Sequence, residues 1–312
     1  MDPSKEEVLR DIRDAPEVIR SAVYGGVSGG RLGVAEFEVF DGLILRQTFA
    51  HVMSPYLMAF VEPDPPSNPH PGPWRAVSGG NHFDVHIEIA LAERASPANF
   101  DRINTIWWTL SLLRIITGVP LVLPVLSDTP FAEARCCEHV PQFWPVEMSH
   151  PRFGPEVADV VIGSESLRSV RTLFSPGAAL MEIEHFNRAY QTMDSASLAH
   201  SSGAGMVMMW AALETLFRPG QHQITKRLSK SIATHIEEPG GRREALQQDV
   251  AKLYELRGTS VHNSEAATEA ALVQTASLAR RAFILCMERG AIPDCDALLL
   301  RWSAEHPKNQ SA

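Results

Sequence analysis

From about Leu167 to the end of this 312-residue chain, no segment alternates with the two-residue period of a strand. Apolar residues recur instead at helical spacing, over about 179–193, 197–217, 221–237, 241–262, 265–289 and 294–304. That confines the back half to a helical bundle, because helices with one apolar stripe must bury it against each other.

The front half reads differently. Residues 82–90 alternate, with Phe83, Val85, Ile87 and Ile89 on one face and His82, Asp84, His86 and Glu88 on the other, as in a strand with one solvated side. Phe37 and Val39 alternate with Glu36 and Glu38 ahead of Asp41-Gly42 and Leu43-Ile44-Leu45, which predicts a hairpin on an Asp-Gly turn. Helical spacing holds from Ala98 to Thr117, with Gly118 as the C-cap and Pro120 beyond it. Residues 119–126 are expected at a sheet edge, because Pro120 and Pro124 would interrupt a central ladder.

The remaining stretches read as follows. Residues 5–23 suggest a short helix pair broken at Pro16, and Gly25, Gly26, Gly29 and Gly30 suggest a loop. The six prolines between 63 and 73 mark 63–79 as a surface loop. Residues 127–165 read as irregular and as the place of a boundary. The expectation is an α+β chain, with a mixed α/β domain over 1–160 and an all-α domain over 167–304. By elimination, the first is assigned a sensor or partner-binding role.

Composition removes several classes of function. A net charge of −9 argues against a protein that coats nucleic acid along its whole surface. Cys136, Cys137, Cys286 and Cys295 contain no Cys-x-x-Cys pair, which suits a reducing cytoplasm and predicts no structural zinc. The start of the chain lacks the order of a secretory signal, so export is not expected. The apolar stretch from Ile106 to Leu126 is broken by Arg114, Gly118, Pro120 and Pro124, so no membrane span is expected there. His82, Asp84, His86 and Glu88 are metal-ligand types on one strand face. The plainer reading is a solvated sheet face, and no metal or cofactor is assigned.

Chemistry concentrates between 204 and 265. Met206, Trp210, Leu213 and Phe217 form one buried helical stripe, and Glu214 sits four residues after Trp210, so that it either takes a cationic partner or lies at the edge of the stripe and reaches water. On a later helix Leu246, Val250 and Leu253 form a stripe whose next member is Arg257, an arginine at an expected core position and the partner expected for Glu214. Five residues on come His262 and then Asn263, a residue tolerated in the left-handed conformation that ends helices. The Arg-x-x-x-x-His spacing by itself is not informative, since it recurs at Arg46/His51 and Arg301/His306. The middle copy stands out by its helical placement and by the Trp210-Ala211-Ala212-Leu213-Glu214-Thr215-Leu216-Phe217 helix upstream of it. Between Arg218 and Arg257, eight Lys/Arg stand against five Asp/Glu, so a polyanion is best met here. Lys226, Arg227 and Lys230 are the candidates on the intervening basic helix, where a merely solvated face is the alternative.

Those three motifs in that order, ending in Leu253-Tyr254-x-x-Arg257-x-x-x-x-His262-Asn263, resemble the HEPN superfamily, most of all its Apea-like branch, over about residues 175–290. The resemblance implies an up-and-down helical bundle that forms a homodimer through the C-terminal helices, bringing two Arg-x-x-x-x-His motifs into one cleft. It further implies metal-independent cleavage of RNA, single-stranded by expectation, in a toxin or antiviral defence setting. Arg257 and His262 would be the catalytic pair, with Glu214, Asn263 and Tyr254 in support. Many active members carry a polar residue directly after the arginine, whereas this chain has Gly258. The alternative is therefore a catalytically silent HEPN-like module that binds a nucleotide, RNA or protein partner.

Overall fold

The computed structural model describes residues 23–54, 57–65, 68, 71–76, 81–95, 97–148, 160–259 and 265–305. The expected helix pair over 5–23 falls outside them, apart from Val23. Ten strands are described: β1 (Val23–Ser28), β2 (Arg31–Leu32), β3 (Glu36–Phe40), β4 (Leu43–Ser54), β5 (Leu57–Ala59), β6 (Trp74–Ala76), β7 (Asn81–Leu91), β8 (Val122–Ser127), β9 (Phe143–Pro145) and β10 (Val161–Ile162). The described helices are α1 (Arg102–Thr117), α2 (Ser164–Met181), α3 (Glu184–Ala196), α4 (Ser202–Phe217), α5 (Ile224–Ile236), α6 (Gly241–Thr259), α7 (Glu265–Arg289) and α8 (Cys295–Glu305). The chain is thus α+β.

Six strands form one antiparallel sheet in the order β3-β4-β7-β1-β8-β9. The β3–β4 hairpin turns at Asp41-Gly42, with Gly42 at φ 78°, a left-handed conformation that costs glycine little. Strand β7 is the alternating segment, and Phe83, Val85, Ile87 and Ile89 are buried as expected. Its other face is not wholly solvated: Glu88 is buried and accepts a hydrogen bond from Phe131 N at 2.8 Å. Burial raises the pKa of its carboxyl, opposed by the Phe131 N–H and by Arg46.

Gly25 and Gly26 are not in a loop but inside β1, between β7 and β8. Consecutive strand residues face opposite sides of a sheet, and here each side is closely approached. A Cβ on Gly25 would lie 2.5 Å from Ile106 Cγ2 of α1, and one on Gly26 2.6 Å from Phe131 Cζ. These glycines let α1 settle on one face and let Phe131 pack with Val85 and Val125 on the other.

Two prolines misled the sequence reading in the same region. Strand β8 is not the edge, because the three-residue β9 pairs outside it, with Val146 N donating to Pro124 O at 3.0 Å. Pro124 falls where the β1–β8 register shifts between Gly26 and Ser28, so its missing N–H interrupts little of the ladder. Within the expected 63–79 loop, residues 74–76 pair with 57–59 as β6 and β5. Residues 161–162 likewise form β10, which runs parallel to β2.

Asp101 caps α1 by accepting from Asn104 N at 2.7 Å, and Gly118 ends it at φ 71°. Helix α2 begins at Ser164, well before the expected start near 179, and continues through Pro176. The expected run over 179–193 is divided between α2 and α3 at Glu182–Ile183. In the bundle, α4 packs between α3 and α7, and α5 packs against α6 and α8. One hydrophobic core runs from Leu45 and Ile89 of the sheet through Trp108 and Leu112 of α1 to Phe174, Tyr190, Trp210 and Phe283 of the helices. The Trp108 indole donates to Phe174 O at 3.2 Å, and Gly177 leaves room for its ring, since a Cβ there would lie 2.6 Å from Trp108 Cζ2. Among the described residues one segment, Glu269–Arg289, is long and apolar enough to cross a membrane, and half of it is buried inside the fold.

The core also holds His235 of α5, whose Nε2 lies 3.2 Å from Ala282 O of α7 and whose ring meets Phe217 edge-on. Burial lowers its pKa to about 4, with Arg289 and Arg301 acting in the same direction and the Ala282 carbonyl against it. The unfolded chain, with an ordinary histidine pKa near 6.5, takes up the proton first as pH falls. The contribution of His235 to stability is therefore complete above about pH 6.5 and is lost between there and about pH 4. Up to about 3 kcal/mol is at stake, by the usual conversion of a pKa difference to free energy. Urea denaturation of His235→Gln beside wild type should show a shallower fall in stability across that window. Parallel curves would refute the assignment.

Candidate functional site

Helices α4 and α6 present the motif residues to each other. Four residues apart on α4, Trp210 and Glu214 share a face, as do Tyr254 and Arg257 three apart on α6. Trp210 is fully buried and meets the Tyr254 ring edge-on at 5.0 Å between centroids. Glu214 Oε1 accepts from Tyr254 OH at 2.9 Å and from Arg257 Nη1, which also donates to Tyr254 OH at 3.2 Å. The Arg257 guanidinium carbon lies 5.0 Å from the Tyr254 ring centre. Partial burial, followed by the hydrogen bond to Glu214, raises the pKa of the Tyr254 hydroxyl.

Arg257 and Glu214 thus meet as the helical stripes predict, but not in a closed core. Their side chains are 34% and 30% exposed, and along the α6 stripe Val250 is buried while Leu246 and Leu253 are only partly so. A carboxylate and a phenol hold the arginine side chain while part of it faces solvent. A guanidinium held in this way and partly facing solvent is a fixed positive charge that an external anion could approach. Gly258 is exposed at the next position, with open space where a Cβ would lie. His262 and Asn263 lie outside the described residues.

The basic candidates of α5 run toward α8. Arg227 Nε donates to Pro219 O and its Nη2 to Asp296 Oδ1, both at 2.5 Å. Lys230 Nζ lies 5.3 Å from the centre of the Trp302 ring, and Lys226 is exposed. On the sheet, His51 Nδ1 lies 2.6 Å from Asp84 Oδ1, and the His51 and His82 rings are 5.9 Å apart. Among the described residues no group of three or more His, Cys, Asp or Glu is placed to hold a metal ion.

Sequence reasoning missed a second charged cluster. Arg114, only 7% exposed on α1, donates Nη1 to Asp194 at 3.0 Å, Nη2 to Glu147, and Nε to Leu121 O at 2.7 Å. Ser111 Oγ donates to Asp194 at 2.8 Å and lies 3.1 Å from Tyr190 OH, whose pKa burial pushes far up. The available signal was an arginine and a serine inside the otherwise apolar run from Leu110 to Ile116.

No family model matches the chain, and no curated protein or solved structure matches it.

Proposed function

We propose that the chain is a metal-independent endoribonuclease of the HEPN type, with α2 to α8 forming the HEPN-like bundle of a cytoplasmic homodimer in a toxin or antiviral defence setting. The observation that carries this reading is the Glu214–Tyr254–Arg257 cluster. It puts a positioned, partly solvent-facing arginine on the last described turn of α6, five residues before His262. In such a reaction the ribose 2′-hydroxyl attacks the adjacent phosphorus and the bond to the 5′-oxygen breaks. His262 takes or relays the proton, while Arg257 stabilises the charge on the phosphate oxygens. Glu214 and Tyr254 orient the arginine.

Purified protein should cut single-stranded RNA in the presence of a chelator and leave 2′,3′-cyclic phosphate ends. DNA of the same sequence lacks the nucleophile and should stay intact. Sedimentation should report a dimer that persists when residues 1–150 are removed from the interface by substitution. Inert protein that binds an RNA tightly would replace this reading with the silent module. One observation favours that rival: Arg257 already has a carboxylate partner in Glu214, as a purely structural arginine would.

A further inference from the structure

Away from this cluster, a cavity of about 300 Å³ opens where the C-terminal ends of α1 and α3 meet α4 and α7. Its volume is at the lower end of the range of small-molecule sites, ~300–1,000 Å³. Most of the wall is apolar, with Met193 from α3, Met209 from α4, and Val273 and Ala276 from α7. Two arginines line it, and their situations differ. Arg114 is committed to two carboxylates and a carbonyl, as described above. Arg280 donates Nε to Ile115 O at 2.6 Å and Nη2 to Ile116 O at 2.8 Å, capping the end of α1. Among the described residues, no carboxylate pairs with Arg280 and its Nη1 has no hydrogen-bond partner. Nη1 lies against Gly118, which lines the same cavity and where any Cβ would overlap it. Partial burial with no carboxylate beside it pulls the pKa of Arg280 down.

We infer that this cavity binds an amphipathic monocarboxylate, with Arg280 taking the head group and Met193, Met209, Val273 and Ala276 enclosing the hydrocarbon body. The charge balance selects a monoanion. Arg114 and Arg280 together match Asp194 and Glu147, so a monocarboxylate adds one negative charge to a balanced group, whereas a phosphate dianion adds two beside the Asp194 that lines the same wall. A guanidinium with a spare donor group beside a mostly apolar wall suits a carboxylate on a flexible chain.

The probe is octanoate, titrated calorimetrically into the full-length chain, with octylammonium and octanol as charge controls. Saturable binding of octanoate, and not of octylammonium, is expected. Arg280→Gln should weaken it about tenfold or more, the scale of a lost hydrogen bond to a charged group. Because that variant also uncaps α1, Val273→Trp serves as a second test. It fills the cavity from a half-exposed rim position and leaves Arg280 in place, and it should abolish binding while the melting temperature holds. The inference is overturned if octanoate shows no saturable binding at millimolar concentration, if octylammonium binds equally well, or if Val273→Trp binds octanoate as wild type does.

Discussion

Cleavage of single-stranded RNA is expected to fall about 10²–10⁴-fold in His262→Ala, the usual scale for removing a general acid–base group. Arg257→Ala should lose a comparable factor, because a fixed cation at a developing phosphorane charge is worth several kcal/mol. The fold should survive both changes. The Arg257–Glu214 pair is about one-third exposed, and pairs of that kind contribute about 0–1 kcal/mol to stability. Glu214→Gln separates positioning from chemistry: it keeps a hydrogen-bond acceptor for Arg257 and Tyr254 but removes the charge, so it should slow cleavage less than Arg257→Ala does. The measurement is the initial rate on a labelled RNA with chelator present, alongside urea denaturation of each variant. Wild-type rates in the Arg257/His262 double variant would end the ribonuclease proposal.

The largest loss of stability is expected at Arg114, where replacement by methionine should cost about 3–5 kcal/mol. Methionine fills much of the volume, so the cost is electrostatic. Asp194 and Glu147, each mostly buried, would be left without their shared cation. Their remaining donors, the Ser111 hydroxyl for Asp194 and Leu123 N for Glu147, are neutral. Adding Asp194→Leu should recover part of the loss, since removing both members of a buried pair is milder than stranding one. Urea denaturation gives the comparison. A loss below about 1 kcal/mol in Arg114→Met would show that water reaches the carboxylates and that the cluster is not the tie it resembles. That tie matters because Arg114 joins α1 both to α3 in the bundle and to the segment after β9 at the sheet.

What was legible in the sequence was whatever local periodicity and turn chemistry express. The β3–β4 hairpin, strand β7, helix α1 with its Gly118 stop, and most of the bundle helices follow from side chains repeating every two or every 3.6 residues. The meeting of Glu214 with Arg257 was legible for the same reason: each sits beside an apolar stripe, and stripes on packed helices face each other. Where tertiary contacts reverse a residue's usual meaning, local reading failed. Gly25 and Gly26 read as a loop because glycine lowers strand propensity, yet the close approach of Ile106 and Phe131 requires them in β1. Pro124 read as a sheet edge, and only the shifted register of its neighbour shows how a proline fits one strand further in.

The polar residues divide along the same line. An arginine among apolar residues is visible in sequence at 114, as at 257, but nothing local says which carboxylate it finds. Asp194 and Glu147 are 80 and 33 residues from Arg114, and their arrival depends on where the fold brings α3 and the segment after β9 relative to α1. Arg280 likewise reads as one more charge on a long helix until α7 lays it over the end of α1, beside a cavity walled by four helices. Spacing along the chain thus determined the elements and which face each buries. Only the packing of those faces decided which charges are satisfied and which are left with donors to spare, because an ion pair is a matter of distance in space and burial, and neither is a property of a segment by itself.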